Sequence, residues 1–254
     1  MAHLRATYDD ILAGAPIPDQ WLGSLCSYLH KWYPDTFLEN VRPVKLLPTT
    51  YKCLTSIVDS RLKAEMEHLG LLEDSQGGFR PALQTQTSIL KLTYAIEEAR
   101  RTNGKIVIAM LDWFSAFDSV DLGRLYLLFE HLGMHSDDVA LLCRCHAGAW
   151  VTVRTQWGET ARVQVTRGSP QGDSLSPSLF VFFLNLCLRH LGTTGVGVVH
   201  ACGVRRNAAC FADYLTLMAT SIRDMNKLLA KVSEFAAWAG MDLCVHKCEI
   251  AAYD

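Results

Sequence analysis

An unbroken apolar run, Ile106 to Leu111, ends abruptly in Asp112, and few features constrain a fold more. The run is short, β-branched at its start, and preceded by the turn formers Asn103-Gly104. Such a segment reads as a buried strand that delivers a carboxylate at its C-terminal end. Asp213 repeats the pattern, closing Cys210-Phe211-Ala212 near the bend of a short hairpin expected over Val204–Leu217. One aspartate at a strand end serves well as a cap or turn former. Two on neighbouring strands are different, because like charges held together call for cations, and Mg²⁺ prefers carboxylate and water oxygens. Residues alone leave that choice open. The expectation is that the two strands are neighbours in one antiparallel sheet.

The rest of the chain supplies helices to cover such a sheet. After Pro48, Leu54, Ile57, Val58, Leu62, Met66 and Leu69 share one face, with Gly70 at the expected C-terminal cap. Ile89, Leu92, Ile96 and Ala99 predict a helix over 85–101, and further helices are expected near 121–132 and 137–145. Val151 and Val153, then Ala161, Val163 and Val165, alternate around Trp157-Gly158 as a hairpin. An apolar helix is expected from Leu175, and another from the capping Ser221 to Gly240. The first forty residues, with Pro16, Pro18 and Pro34, suggest short helices and turns, and no concluding element is evident before Asp254. Helices first and strands interleaved with helices later make an α+β chain.

Composition narrows the class. An apolar fraction of 50% and a charged fraction of 20% over 254 residues belong to a globular chain. The longest apolar stretch, Leu179 to Leu188, is broken by Asn185 and is too short to span a bilayer. Early charges argue against a signal peptide, and nine scattered cysteines then favour reduced thiols in the nucleus or cytoplasm. The groups Cys143, Cys145, His146 and Cys244, His246, Cys248 lack zinc-knuckle spacing and read as packed thiols. The formal net charge of −2 is unusual for a chain that tracks phosphates. Either basic regions lie outside these residues, or the grip on nucleic acid is weak.

What gathers these features together is a series of segments. Asp112-Trp-Phe-Ser-Ala-Phe117-Asp118 resembles motif A of reverse transcriptases. Arg167-Gly-Ser-Pro-Gln171-Gly172-Asp-Ser-Leu-Ser-Pro is similar to their motif B in the non-LTR retrotransposon and group II intron style. Phe211-Ala-Asp213-Tyr214 stands where motif C belongs. Asn40-Val-Arg42-Pro43 and Gln76-Gly-Gly78-Phe79-Arg80-Pro resemble two fingers motifs, and Gly240 to Glu249 resembles motif D. All occur in the family's order.

The resemblance implies a right-hand polymerase: an N-terminal extension over 1–39, fingers over 40–104 and a palm over 105–254, its antiparallel sheet packed on helices and its thumb missing. It implies an RNA-directed DNA polymerase that transfers deoxynucleotides to a primer 3′-hydroxyl on an RNA template, with two Mg²⁺ ions, or Mn²⁺ in their place. Asp112 and Asp213 would hold the metals, and Lys247 would protonate the departing pyrophosphate. Phe117 would exclude a ribose 2′-hydroxyl. Gln171 and Gly172 would lie against the incoming nucleotide, Arg80 would pair with its triphosphate, and Arg42 would contact it or the template.

The sequence also departs from the family. Tyr214 holds the place of a second motif C aspartate, beside the expected primer end, and is neutral at pH 7 because phenols ionise near pH 10. Cys244 stands where motif D carries Asn. A catalytically silent nucleic-acid-binding protein and a decayed element fragment are therefore the alternatives. Thumb and endonuclease regions are expected in a longer natural product.

Overall fold

The computed structural model describes residues 2–30, 41–200 and 203–253, so Pro34 and Asn40 lie outside the described residues. In chain order, α1 (Ala2–Leu12) and α2 (Asp19–Leu22) lead into β1 (Gly23–His30), β2 (Val41–Leu46) and α3 (Thr49–His68). Then come α4 (Thr85–Arg101), β3 (Ile106–Leu111), α5 (Ala116–Ser119), α6 (Leu122–His131) and α7 (Ser136–His146). β4 (Trp150–Thr155), β5 (Gly158–Glu159) and β6 (Val163–Gln164) precede α8 (Ser176–Gly192). The chain goes on through β7 (Val198–Val199), β8 (Arg205–Arg206), β9 (Ala208–Phe211), β10 (Tyr214–Ala219), α9 (Ile222–Ala239) and β11 (Glu249–Tyr253). Two compact units result: Met1–Arg61 with Asp121–Ser176, and Leu62–Val120 with Pro177–Asp254.

The second unit is built on an antiparallel sheet in the order β11-β3-β10-β9. Ile106 and Val107 are both buried although successive strand residues face opposite ways, so both faces of β3 are covered. Ala95 and Ala99 of α4 pack on Ile106, Ala209 and Met218, where small helix residues let the helix approach closely. α9 also packs on β3 and β10. Its stripe Met225, Leu228, Val232, Phe235 and Ala239 is buried, the Ser221 hydroxyl accepts from the Asp224 N–H, and Gly240 ends it at φ 62°. Phe235 meets Trp113 and Phe183 edge-on or tilted, at 5.9 and 5.8 Å between centroids. Asn185, the polar break in the apolar helix α8, is buried and bonds the loop before α4. Its Nδ2 donates to the Leu71 carbonyl and its Oδ1 accepts from the Glu73 N–H.

The first unit holds the sheet β2-β1-β4-β5, with β6 also on β4. β1 runs antiparallel to β2 and parallel to β4. The Trp150 ring lies over Gly23, where a Cβ would stand 2.2 Å from it, and the Arg162 guanidinium stacks on the same ring at 3.8 Å. Glycine is required there for close approach rather than for a turn.

Two expectations fail, for related reasons. Gly23–His30 is a strand, not a turn-rich stretch, and Glu249–Tyr253 is a strand where no element was evident. β1 finds β4 127 positions along the chain, and β11, exposed throughout, pairs among the described residues with β3 alone. Neither carries a local period, because the partner strand rather than the segment's own pattern stabilises it. The hairpin after α7 is present, its return side divided: Gly158 and Glu159 pair with Thr155 and Arg154, and Val163 and Gln164 pair with Val151 and Trp150.

Candidate active site

Antiparallel pairing brings the end of β3 beside the start of β10. Leu111 pairs with Leu215, so Asp112 follows the paired stretch directly and Asp213 immediately precedes β10 on the neighbouring strand. Asp213 and Tyr214 thus stand on the neighbouring strand just before Leu215, at the end of the sheet that Asp112 closes. Leu215 beside it is buried, whereas Tyr214 is 61% exposed.

Asp213 belongs to a two-residue hairpin loop, for Phe211 pairs with Tyr214 around it. Such loops favour positive φ, and Ala212 adopts φ 56° although its Cβ makes that conformation unfavourable by about 1 kcal/mol. The loop preceding α4 holds it there. Gln76, fully buried, donates from Nε2 to the Ala212 carbonyl and accepts at Oε1 from the Ala212 N–H, at 3.3 and 3.1 Å. Gly77 donates to the Cys210 carbonyl and Cys210 donates to the Ser75 carbonyl, both at 2.8 Å. Gly78 presses so close that a Cβ would lie 2.2 Å from the Ala212 nitrogen.

Asp112 is braced from the other side by the segment after α9. Its carbonyl accepts from the Cys244 N–H at 2.8 Å, and the Phe114 N–H donates to the Asp242 carbonyl at 2.9 Å. β11 follows at once, aligned Glu249 to Met110, and this pairing brings Lys247 Nζ to 3.4 Å from Asp112 Oδ2. The lysine is half-exposed and the aspartate 16% exposed, so the ion pair opens on to solvent. Phe117 lies on α5, entered through Ser115 at φ 45°, and its ring stacks at 5.1 Å on Phe180.

Arg80 has a local partner. Its guanidinium grips the Glu67 carboxylate in a two-pronged pair at 2.8 and 2.7 Å and donates from Nη1 to the carbonyls of Glu73 and Gln76. The guanidinium hydrogen bond holds the Glu67 carboxyl below its ordinary range. In this state Arg80 ties the loop of Gln76 to α3.

The other residues singled out from the sequence lie in the first unit. Arg42 is exposed on β2, opposite Leu29. Gln171 and Gly172 are stapled to the same strand by backbone: the Lys45 N–H donates to the Gln171 carbonyl at 2.9 Å, and Gly172, at φ 119°, leaves no room for a Cβ 2.6 Å from the Lys45 oxygen. Asp173 turns inward. Its Oδ1 accepts from the Thr55 hydroxyl at 2.5 Å, burial pushes its carboxyl up to about 6, and Oδ2 has no hydrogen-bond partner among the described residues. The Ser169 and Ser176 hydroxyls bond at 2.5 Å and close the loop at the start of α8. Sequence reading assigned no role to Gln76, Thr55, Asp173 or Ser176.

Among the described residues, no group of three or more His, Cys, Asp or Glu is placed to hold a metal, and no helix is long and apolar enough to cross a membrane. Asp112 and Asp213 each carry hard oxygens of the kind a divalent cation prefers, and an ammonium stands 3.4 Å from Asp112.

Residues 31–253 match the family described as "Reverse transcriptase (RNA-dependent DNA polymerase)". The Pol polyprotein of the type-1 retrotransposable element R2 of Popillia japonica is 27% identical over 91% of this chain and 32% of its own length. For the type-2 element R2DM of Drosophila melanogaster the figures are 26%, 83% and 19%. The transposon TX1 uncharacterized 149 kDa protein of Xenopus laevis is 28% identical over 75% of this chain and 14% of its own length. The chain thus spans a third or less of these relatives. Its fold superposes on apo telomerase of Candida tropicalis, truncated from its C-terminal domain, with a TM-score of 0.67 at 11% identity, covering 99% of this chain and 55% of that one.

Proposed function

Because this chain belongs to the reverse transcriptase family, in its non-LTR branch, we propose that it is the nucleotidyl-transfer core of a retrotransposon-type RNA-directed DNA polymerase. The observation that carries this reading is the shared end of β3 and β10, with Asp112 and Asp213 on neighbouring strands. A pair of Mg²⁺ or Mn²⁺ ions held there would clamp the attacking and leaving oxygens of the transfer. Asp112 and Asp213 supply the hard oxygens for it. Lys247, whose ammonium stands beside Asp112, gives a proton to an oxygen of the departing pyrophosphate. Phe117 walls off the space of a ribose 2′-hydroxyl and so selects deoxynucleotides. Gln171 and Gly172 offer backbone to the nucleotide, Arg80 turns from Glu67 to the triphosphate, and Arg42 contacts template phosphates. The partners are an RNA template, a DNA primer and deoxynucleoside triphosphates, within a longer product that supplies thumb and endonuclease. The setting is a reducing one, nuclear or cytoplasmic.

Tyr214 weakens this machinery, since a neutral phenol adds no charge to a site for divalent cations. Losing one such group commonly lowers rate by about a hundredfold or more. The test is primer extension on an RNA template by the chain fused to a relative's thumb. Tyr214→Asp is expected to raise extension by about that factor. A Tyr214→Asp form that folds, binds primer–template and stays inert would refute the reading. It would favour the second one, a silent nucleic-acid-binding protein or decayed fragment, for which Tyr214 and the net charge of −2 speak.

A further inference from the structure

We propose that Gln76 is a positioning residue for Asp213: its side-chain amide forms the mould in which the Ala212-Asp213 turn is held in metal-ready geometry. The proposal rests on the reading of Asp213 as a metal ligand.

The amide is fully buried and each of its ends is committed. Oε1 accepts from the N–H groups of Gly78 and Ala212, at 2.8 and 3.1 Å. Nε2 donates to the Ala212 carbonyl at 3.3 Å and to Cys210 Sγ at 3.2 Å. The orientation of the amide is forced, because two backbone donors converge on one end and only an oxygen can receive them. Gln76 therefore bonds both backbone groups of Ala212, as a neighbouring strand would. That residue needs such help, since its φ of 56° is a conformation an alanine rarely adopts. Bulk filling alone would not require this chemistry. A methionine fills the same volume and makes none of these bonds. An aspartate on a turn free to relax to negative φ would leave the sheet at a different angle, and ligand geometry is sensitive to shifts of about half an ångström.

The test measures Mn²⁺ binding to the chain by electron paramagnetic resonance, with folding followed by circular dichroism. Asp213→Asn sets the reference, and its binding should be clearly weaker than that of the parent. Gln76→Met is expected to bind Mn²⁺ about tenfold more weakly while keeping its secondary structure. The deciding variant is Gln76→Met with Ala212→Gly. Glycine takes positive φ without assistance, so binding should recover most of the loss. If Gln76→Met does not fold, Gln76→Asn, whose amide stops one methylene short, enters the same comparison. Parent-like binding by the Gln76 variant, beside a weakened Asp213→Asn, overturns the positioning role and leaves the metal reading intact. Weakened binding that Ala212→Gly does not restore also overturns it, because the residue then serves packing alone. Unchanged binding in Asp213→Asn overturns the metal reading beneath it.

Discussion

Asp112 and Asp173 both sit inside motif-like segments, and the two units use them in opposite ways. Asp112 follows a strand of the second unit, its carboxylate 16% exposed and paired with the half-exposed Lys247, while its carbonyl accepts from the Cys244 N–H. Asp173 is buried in the first unit, where the Thr55 hydroxyl takes one of its oxygens and burial pushes its carboxyl up to about 6. Asp112 thus keeps a solvent-facing partner for its side chain while the main chain around it is bonded. A side chain meant for architecture is spent inside. The same division separates Asp213, on a turn gripped by Gln76, from Ser169 and Ser176, whose hydroxyls bond each other.

The sharpest way to break this comparison is to press on the backbone contacts that each unit relies on. Gly78→Ala drives a methyl into the Ala212 nitrogen, and Gly172→Ala sets one against the Lys45 oxygen at a φ that alanine resists. Each should cost on the order of 4 kcal/mol in denaturant unfolding. Melting curves like the parent's for both would show that neither strap matters.

A second prediction separates the units by pH. Burial holds the folded carboxyl of Asp173 above its ordinary value of 3.8, at about 6. Its favourable contribution is therefore present below the unfolded value and is lost as pH rises through about 6, up to about 3 kcal/mol in all. Glu67 runs the other way. Its folded carboxyl is lowered, so its contribution is present above the ordinary carboxylate range and fades as pH falls through the lowered value. Asp173→Asn should flatten the loss of stability between pH 4 and 7. An unchanged slope in urea melts would mean that the residue is not the titrating brace.

These pairs also show what a sequence can and cannot declare. α3, α4, α9 and β3 were legible because each carries its own period, its cap or its end: Ser221 and Gly240 bracket α9, and Asp112 stops β3. Asp112 and Asp213 stand out in the sequence for a related reason, as charges at the ends of apolar runs. β1 and β11 were not, for each exists by pairing with a strand that its own residues do not announce. Nor were the jobs of Gln76 and Asp173, since their partners, Ala212 and Thr55, are more than a hundred positions away. Arg80 shows a related gap. The motif implies a triphosphate, while the fold supplies Glu67 as a partner as well.

Two smaller effects sharpen the picture in the second unit. In a polymerising form, Phe117→Ala should raise ribonucleotide use relative to deoxynucleotide use by about tenfold, or 1.4 kcal/mol. An unchanged ratio removes Phe117 from sugar selection and leaves it only its packing on Phe180. Glu67→Gln should lower stability by about 1 kcal/mol, since it weakens a charge-assisted pair without emptying the site. A change of several times that size would make Arg80 a structural residue alone.

The central proposal is that Asp112 and Asp213, whose flanking main chain is hydrogen-bonded, carry the chemistry. The most direct measurement is single-turnover primer extension by the Tyr214→Asp form, fused to a relative's thumb, with and without Asp112→Asn. The account predicts extension that falls at least about a hundredfold on Asp112→Asn while primer–template binding and unfolding stay near the parent's. Extension that continues undiminished without the Asp112 carboxylate would contradict it.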